Sequence, residues 1–124
     1  MTCCSCGFFG DQHYECDGDT VDAACIVEVG DYNQDENRFN YTVLAEIVDV
    51  TEFIEQVNDL DHSVNWGDPG TFFAGDVAIK IDYSNGDYDL LGTNAQIFIH
   101  SGNYKYGYFF FDKEQFVSII DQYI

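Results

Sequence analysis

The stretch VAIKIDYSNGDYDLL, residues 77–91, decides the fold. Val77, Ile79, Ile81 and Tyr83 fall on one side of an extended strand, and Asp76, Lys80 and Asp82 on the other, the period of two that marks a half-buried sheet. Asn85-Gly86 then reverses the chain between two alternating runs, a strong local hairpin signal. The pattern continues through the surrounding segment 71–111. Tyr88–Leu91 returns, Ala95–His100 alternates again, and Tyr104–Phe111 carries rings on both faces. Together these runs read as a C-terminal β-meander, with Tyr106 and Tyr108 as aromatic positions for a partner or a second copy.

Working outward, Ala24–Val29 and Phe39–Val48 read as two further strands separated by a polar loop. A helix follows, capped by Asp49 or Thr51, with Phe53, Ile54, Val57 and Leu60 as its buried stripe. Residues 61–70 read as a loop carrying Trp66, the only tryptophan. A last helix starts after Asp112, with Gln115 as its capping-box partner and Phe116, Ile119, Ile120 and Tyr123 facing inward. The expectation is an α+β fold, one domain over residues 1–124, with about five to six mainly antiparallel strands and two helices on one face. Its parts are an N-terminal segment (1–22), strands plus helix (24–60), the meander (71–111) and the C-terminal helix (112–124).

Charge narrows the function classes further than any motif does. The 124 residues hold 23 acidic and 4 basic side chains, a net charge of -19. Direct nucleic-acid binding is excluded, because phosphates are neutralised by Lys and Arg that this chain lacks. An anionic membrane surface repels it on the same ground, and no apolar run reaches the roughly 18 residues of a span. A field of this sign attracts cations and basic proteins.

The candidate recognition acids are Glu52, Glu55, Asp59 and Asp61 around the first helix, and Asp17, Asp19, Asp22, Asp31, Asp35 and Glu36 in the loops. Trp66 joins them as a hot-spot residue type. Asp31-x-Asn33-x-Asp35 imitates the start of a calcium loop, but Glu36 and Thr42 replace the glycine and glutamate that such a loop requires.

The N-terminal segment carries the one metal-like spacing. Cys3-x2-Cys6 and His13-x2-Cys16 are two chelating pairs able to close a tetrahedral zinc site, and buried reduced thiols are the alternative reading. Zinc would be structural, and no other cofactor is required. Five cysteines and the lack of an apolar leader after Met1 point to a reducing cytoplasm. Catalysis finds no complete motif: His13, His62 and His100 are the only histidines, and Gly7 and Gly10 precede no helix. The chain reads as a non-enzyme.

In charge and size the chain resembles the nucleic-acid-mimicking inhibitors that bacteriophages make against restriction or CRISPR nucleases. It is also similar to bacterial immunity proteins against basic nuclease toxins. Either resemblance implies a cytoplasmic inhibitor, in the host-cell cytoplasm if phage-encoded, whose partner is a basic nuclease or other nucleic-acid-binding protein. The aromatic excess adds the expectation of a homodimer.

Overall fold

The computed structural model describes residues 16–36, 38–65, 73–92, 97–99 and 108–124. Its body is an antiparallel sheet built from β1 (Val21–Asn33), β2 (Arg38–Glu46), β4 (Val77–Tyr83), β5 (Tyr88–Gly92) and the three-residue β6 (Ile97–Ile99). The spatial order is β2-β1-β4-β5-β6, so the longest strand has a neighbour on each side. Between β2 and β4 the chain forms α1 (Val50–Asn58) and β3 (His62–Asn65), and after β7 (Tyr108–Phe111) it ends in α2 (Lys113–Asp121).

Both helices lie on one face of the sheet. Phe53, Ile54 and Val57 of α1 and Phe116, Ile119 and Ile120 of α2 share a core with Ala24, Ile26, Ile79, Ile81 and Leu91. Their starts are fixed by the expected caps. Asp49 accepts from the amide of Glu52 at 3.2 Å, and Asp112 from that of Gln115 at 2.9 Å. The Gln115 side chain does not close the capping box. It turns instead to Asp61, accepting from its amide at 2.8 Å and donating to its carboxyl at 2.9 Å, while the Asp112 amide donates to the Asp61 carbonyl at 2.8 Å. The exit of α1 and the entry of α2 are thereby tied together.

Three expectations need correction. The meander does not run through Phe111: β7 leaves the main sheet and pairs antiparallel with β3, His62 opposite Phe111, in a separate two-stranded ladder. The strand count of one sheet is therefore lower than the alternation implied, with four longer strands and β6 at the margin. The stretch after α1 is not all loop, because the short β3 lies within it. Finally, the central sheet is covered on both faces. Val27, Val29, Ala78 and Leu90, which point away from the helices, are buried in a second cluster with Cys25, Phe39 and Tyr88.

The hairpin signal holds at Asn85-Gly86. The Gly86 amide donates to the Tyr83 carbonyl at 3.0 Å, and Gly86 sits at φ +95°, a conformation that L side chains rarely adopt. At the other end of β4 the ladder with β1 stops early. β4 matches β1 from Val21 to Glu28, whereas β2 follows it from Cys25 to Asn33. Beyond Val29, which exchanges hydrogen bonds of 2.8 Å with Gly75 and Asp76, β1 and β2 are, among the described residues, a two-stranded arm.

Candidate acidic recognition surface

The arm carries one group of acids. Its tip is ordered by Asn33, whose side-chain oxygen accepts from the amides of Asp35 at 3.0 Å and Glu36 at 3.2 Å. That oxygen serves the turn, which accounts for the calcium-like spacing without a cation. Tyr32 and Phe39 meet edge to face across the two strands, with centroids 5.0 Å apart, and stiffen the stem. Asp31, Asp35 and Glu36 are exposed around it.

A second group surrounds α1. Asn58 on the helix holds the backbone of Cys16, and the chain then enters a 3-10 turn, Gly18–Thr20, capped by the Asp17 carboxyl. This turn lies against the helix, since a Cβ at Gly18 would stand 3.8 Å from Ile54 Cγ2. The turn thus meets α1 through Ile54 and Asn58, and Asp17, Asp19, Asp22, Glu52, Glu55 and Asp59 are all exposed, as is Asp61. A groove of about 410 Å3 opens between the helices, with Leu60 and Ile119 among its apolar lining, Asp59 contributed by the residue just after α1 and Glu114 by α2. Within β1, Asp22 of one group and Asp31 of the other are nine residues apart, which at about 3.3 Å per residue separates them by about 30 Å. The sequence-derived acids therefore fall into two groups, one on the β1–β2 arm and the other on the 3-10 turn, the start of β1 and α1 with the residue after it.

The described cations do little to offset this field. Lys80 is only 7 % exposed, on the sheet face away from the helices. Its Nζ lies 4.9 Å from the Tyr41 ring centroid and 5.1 Å from that of Tyr88, and it donates to Asp82. Burial alone would lower its pKa, but the hydrogen bond and charge of Asp82, with Tyr41, outweigh that and raise it. Cys25, directly across the ladder from Lys80, has a raised pKa, chiefly from burial. Lys113 stands exposed at the start of α2.

A buried polar cluster escaped the sequence reading. Asp89 is fully buried on the helix side of the sheet and accepts from the Tyr83 hydroxyl, which also lies 3.4 Å from Cys16 Sγ. Burial, then the Asp89 hydrogen bond and Cys16, push the Tyr83 pKa far above its usual value. The signal was present in the register: Asp89 is opposite Ile81 and two residues from Leu91, both inward-facing, so strand parity alone places it inside.

Of the proposed zinc ligands, Cys16 is buried in the main core, while Cys3, Cys6 and His13 lie outside the described residues. Among the described residues, no three His, Cys, Asp or Glu side chains are grouped to hold a metal. Trp66 and Tyr106 also lie outside them, and Tyr108 opens β7 opposite Asn65. No described helix is long and apolar enough to cross a membrane. Compared with family models, curated proteins and solved structures, the chain matches none.

Proposed function

We propose that this chain is an acidic inhibitor that occupies the nucleic-acid groove of a basic protein, a nuclease being the leading class, in place of the polynucleotide. The observation that carries the reading is the sorting of charge: all ten nominated acids are exposed, whereas the sheet lysine Lys80 is buried beneath two tyrosines. With a net charge of -19, the outward field is strongly negative. Asp22 and Asp31, one from each acidic group, lie about 30 Å apart along β1, about the length of nine base pairs at 3.4 Å per step, a span suited to a duplex-binding groove. In this reading the chain works in the cytoplasm, contributes no catalytic group and needs no cofactor, and a zinc ion on Cys3, Cys6, His13 and Cys16 would be structural.

The test is binding to a panel of basic nucleases across salt. Affinity falls steeply between about 50 and 200 mM salt, and duplex DNA competes. Amide replacements at Asp31, Asp35 and Glu36, or at Glu52, Glu55 and Asp59, weaken the complex and flatten its salt slope. A complex indifferent to salt and to both sets would rule the mechanism out.

A further inference from the structure

The groove between α1 and α2 offers a ligand acceptors and apolar carbon. Its two amide side chains are already engaged elsewhere. Gln56 donates to the Tyr123 hydroxyl at 3.5 Å and accepts from Gln122 at 2.8 Å, and Gln115 is held by Asp61 through both its oxygen and its nitrogen. The other polar side chains on the wall are Asp59, Glu114 and Ser118, two carboxylates and a hydroxyl. Among the described residues, neither carboxylate has a hydrogen-bond or ion-pair partner.

The backbone adds charge of the same sign. α1 ends at the groove with no basic residue in its last turn, so the partial negative charge of its C-terminus adds to that of Asp59. The N-terminus of α2 acts in the opposite sense, but Asp112 caps it and Glu114 offsets it from the first turn. Leu60 and Ile119, both buried, supply the apolar part of the wall. Lys113 precedes Glu114 on α2 and is not one of the residues lining the groove.

Such a wall suits a cation carried on an aliphatic stem. A bare metal ion fits it poorly, because among the described residues no three His, Cys, Asp or Glu side chains are grouped to hold one. A guanidinium fits better than an ammonium. It is less strongly hydrated, and its five donors, fixed in one plane, can serve acceptors on both helices at once.

We propose that this groove is a docking site for an arginine side chain of a basic protein, with the guanidinium between Asp59 and Glu114 and the methylenes over Leu60 and Ile119. The site goes beyond the inhibitor reading and does not depend on it. Charge mimicry needs exposed acids but no groove, and the arginine need not belong to a nucleic-acid-binding protein.

Titration of the full chain with the peptide acetyl-Gly-Arg-Gly-amide, followed by amide NMR, tests it. At about 0.15 M salt, charges more than about 8 Å away are largely screened. The expected result is saturable binding in the millimolar range, with shifts at Leu60, Ser118 and Ile119 and none at Asp35 or Glu36 on the arm. Citrulline in place of arginine keeps the shape, loses the charge and abolishes the shifts, and lysine binds about threefold more weakly. Asp59→Asn and Glu114→Gln each weaken binding about fivefold, whereas Asp31→Asn, Asp35→Asn and Glu36→Gln together leave it unchanged. The same spectra show that each variant keeps its fold. Shifts spread over all the acids alike overturn the proposal, as does lysine or citrulline binding as well as arginine. Indifference to both Asp59→Asn and Glu114→Gln overturns it too. Each of these failures leaves the salt dependence of a nuclease complex untouched, so the two readings fail separately.

Discussion

Asn58 holds Cys16 from both sides: its side-chain oxygen accepts from the Cys16 amide at 2.7 Å, and its side-chain nitrogen donates to the Cys16 carbonyl at 2.9 Å. One amide side chain thereby serves as a substitute strand for a backbone that has none. Asn58→Ala leaves both backbone groups partly buried without it and costs about 1–3 kcal/mol, read as a lower urea midpoint. It also speeds protease cleavage before β1, because the 3-10 turn loses its anchor on the helix. Unchanged cleavage with unchanged stability would mean the contact contributes nothing.

Tyr83 makes stability fall at alkaline pH. Its folded pKa is raised by burial and by Asp89, so the folded protein holds this proton more tightly than the unfolded chain does. Below about pH 10 the contribution is complete, and it is lost as pH rises beyond that, where unfolding releases the proton. Tyr83→Phe should cost about 1–3 kcal/mol near neutrality, since the buried Asp89 loses a donor, and should flatten the alkaline limb of the stability curve. Parallel curves for the two proteins from pH 9 to pH 11 would refute this coupling.

Lys80 combines a packed stem with a charge held between two rings. Lys80→Met keeps most of the packing and loses the cation, whereas Lys80→Ala loses both and leaves space between Tyr41 and Tyr88. The expected order of stability is wild type, Met, then Ala, with Ala about 2–4 kcal/mol below wild type by thermal or urea unfolding. An alanine variant as stable as the methionine variant would show that the stem fills no needed volume.

Cys25 has a thiol whose pKa burial raises despite the adjacent lysine. Because the thiolate is the reacting form, its alkylation by iodoacetamide at neutral pH should be much slower than that of free cysteine. Peptide mapping by mass spectrometry reads this directly. Labelling as fast as free cysteine would place the residue in a more open environment.

The helices were legible in the sequence for a local reason. Asp49 and Asp112 cap them, and Phe53, Ile54, Val57, Phe116, Ile119 and Ile120 repeat at helical spacing, so short-range chemistry decides both elements. Asn85-Gly86 was legible on the same ground. The pairing of β3 with β7 was not, because four residues carry too little periodicity to announce a strand, and a partner more than forty positions away leaves no local trace. Lys80 and Asp89 were hidden differently. Alternation shows which residues share a face, but not that both faces are covered, so polar residues on β4 and β5 looked solvated. Among the candidate recognition residues, the exposure of the acids followed from their charge. Their division into two groups depended on the length of β1, which ran four residues beyond Val29, the end that the apolar alternation marked.

The two-stranded arm separates recognition from stability. Its pairs beyond Val29, Tyr32 with Phe39 and Asn33 with Arg38, have no β4 partner, and among the described residues of these pairs only Phe39 packs against a core cluster. Acids there can be exchanged, added or removed without repacking the residues that hold the protein folded. Such a part can diversify quickly, and a pair of residues lost or gained from its end would change reach by one ladder step while leaving the sheet beneath it as it was.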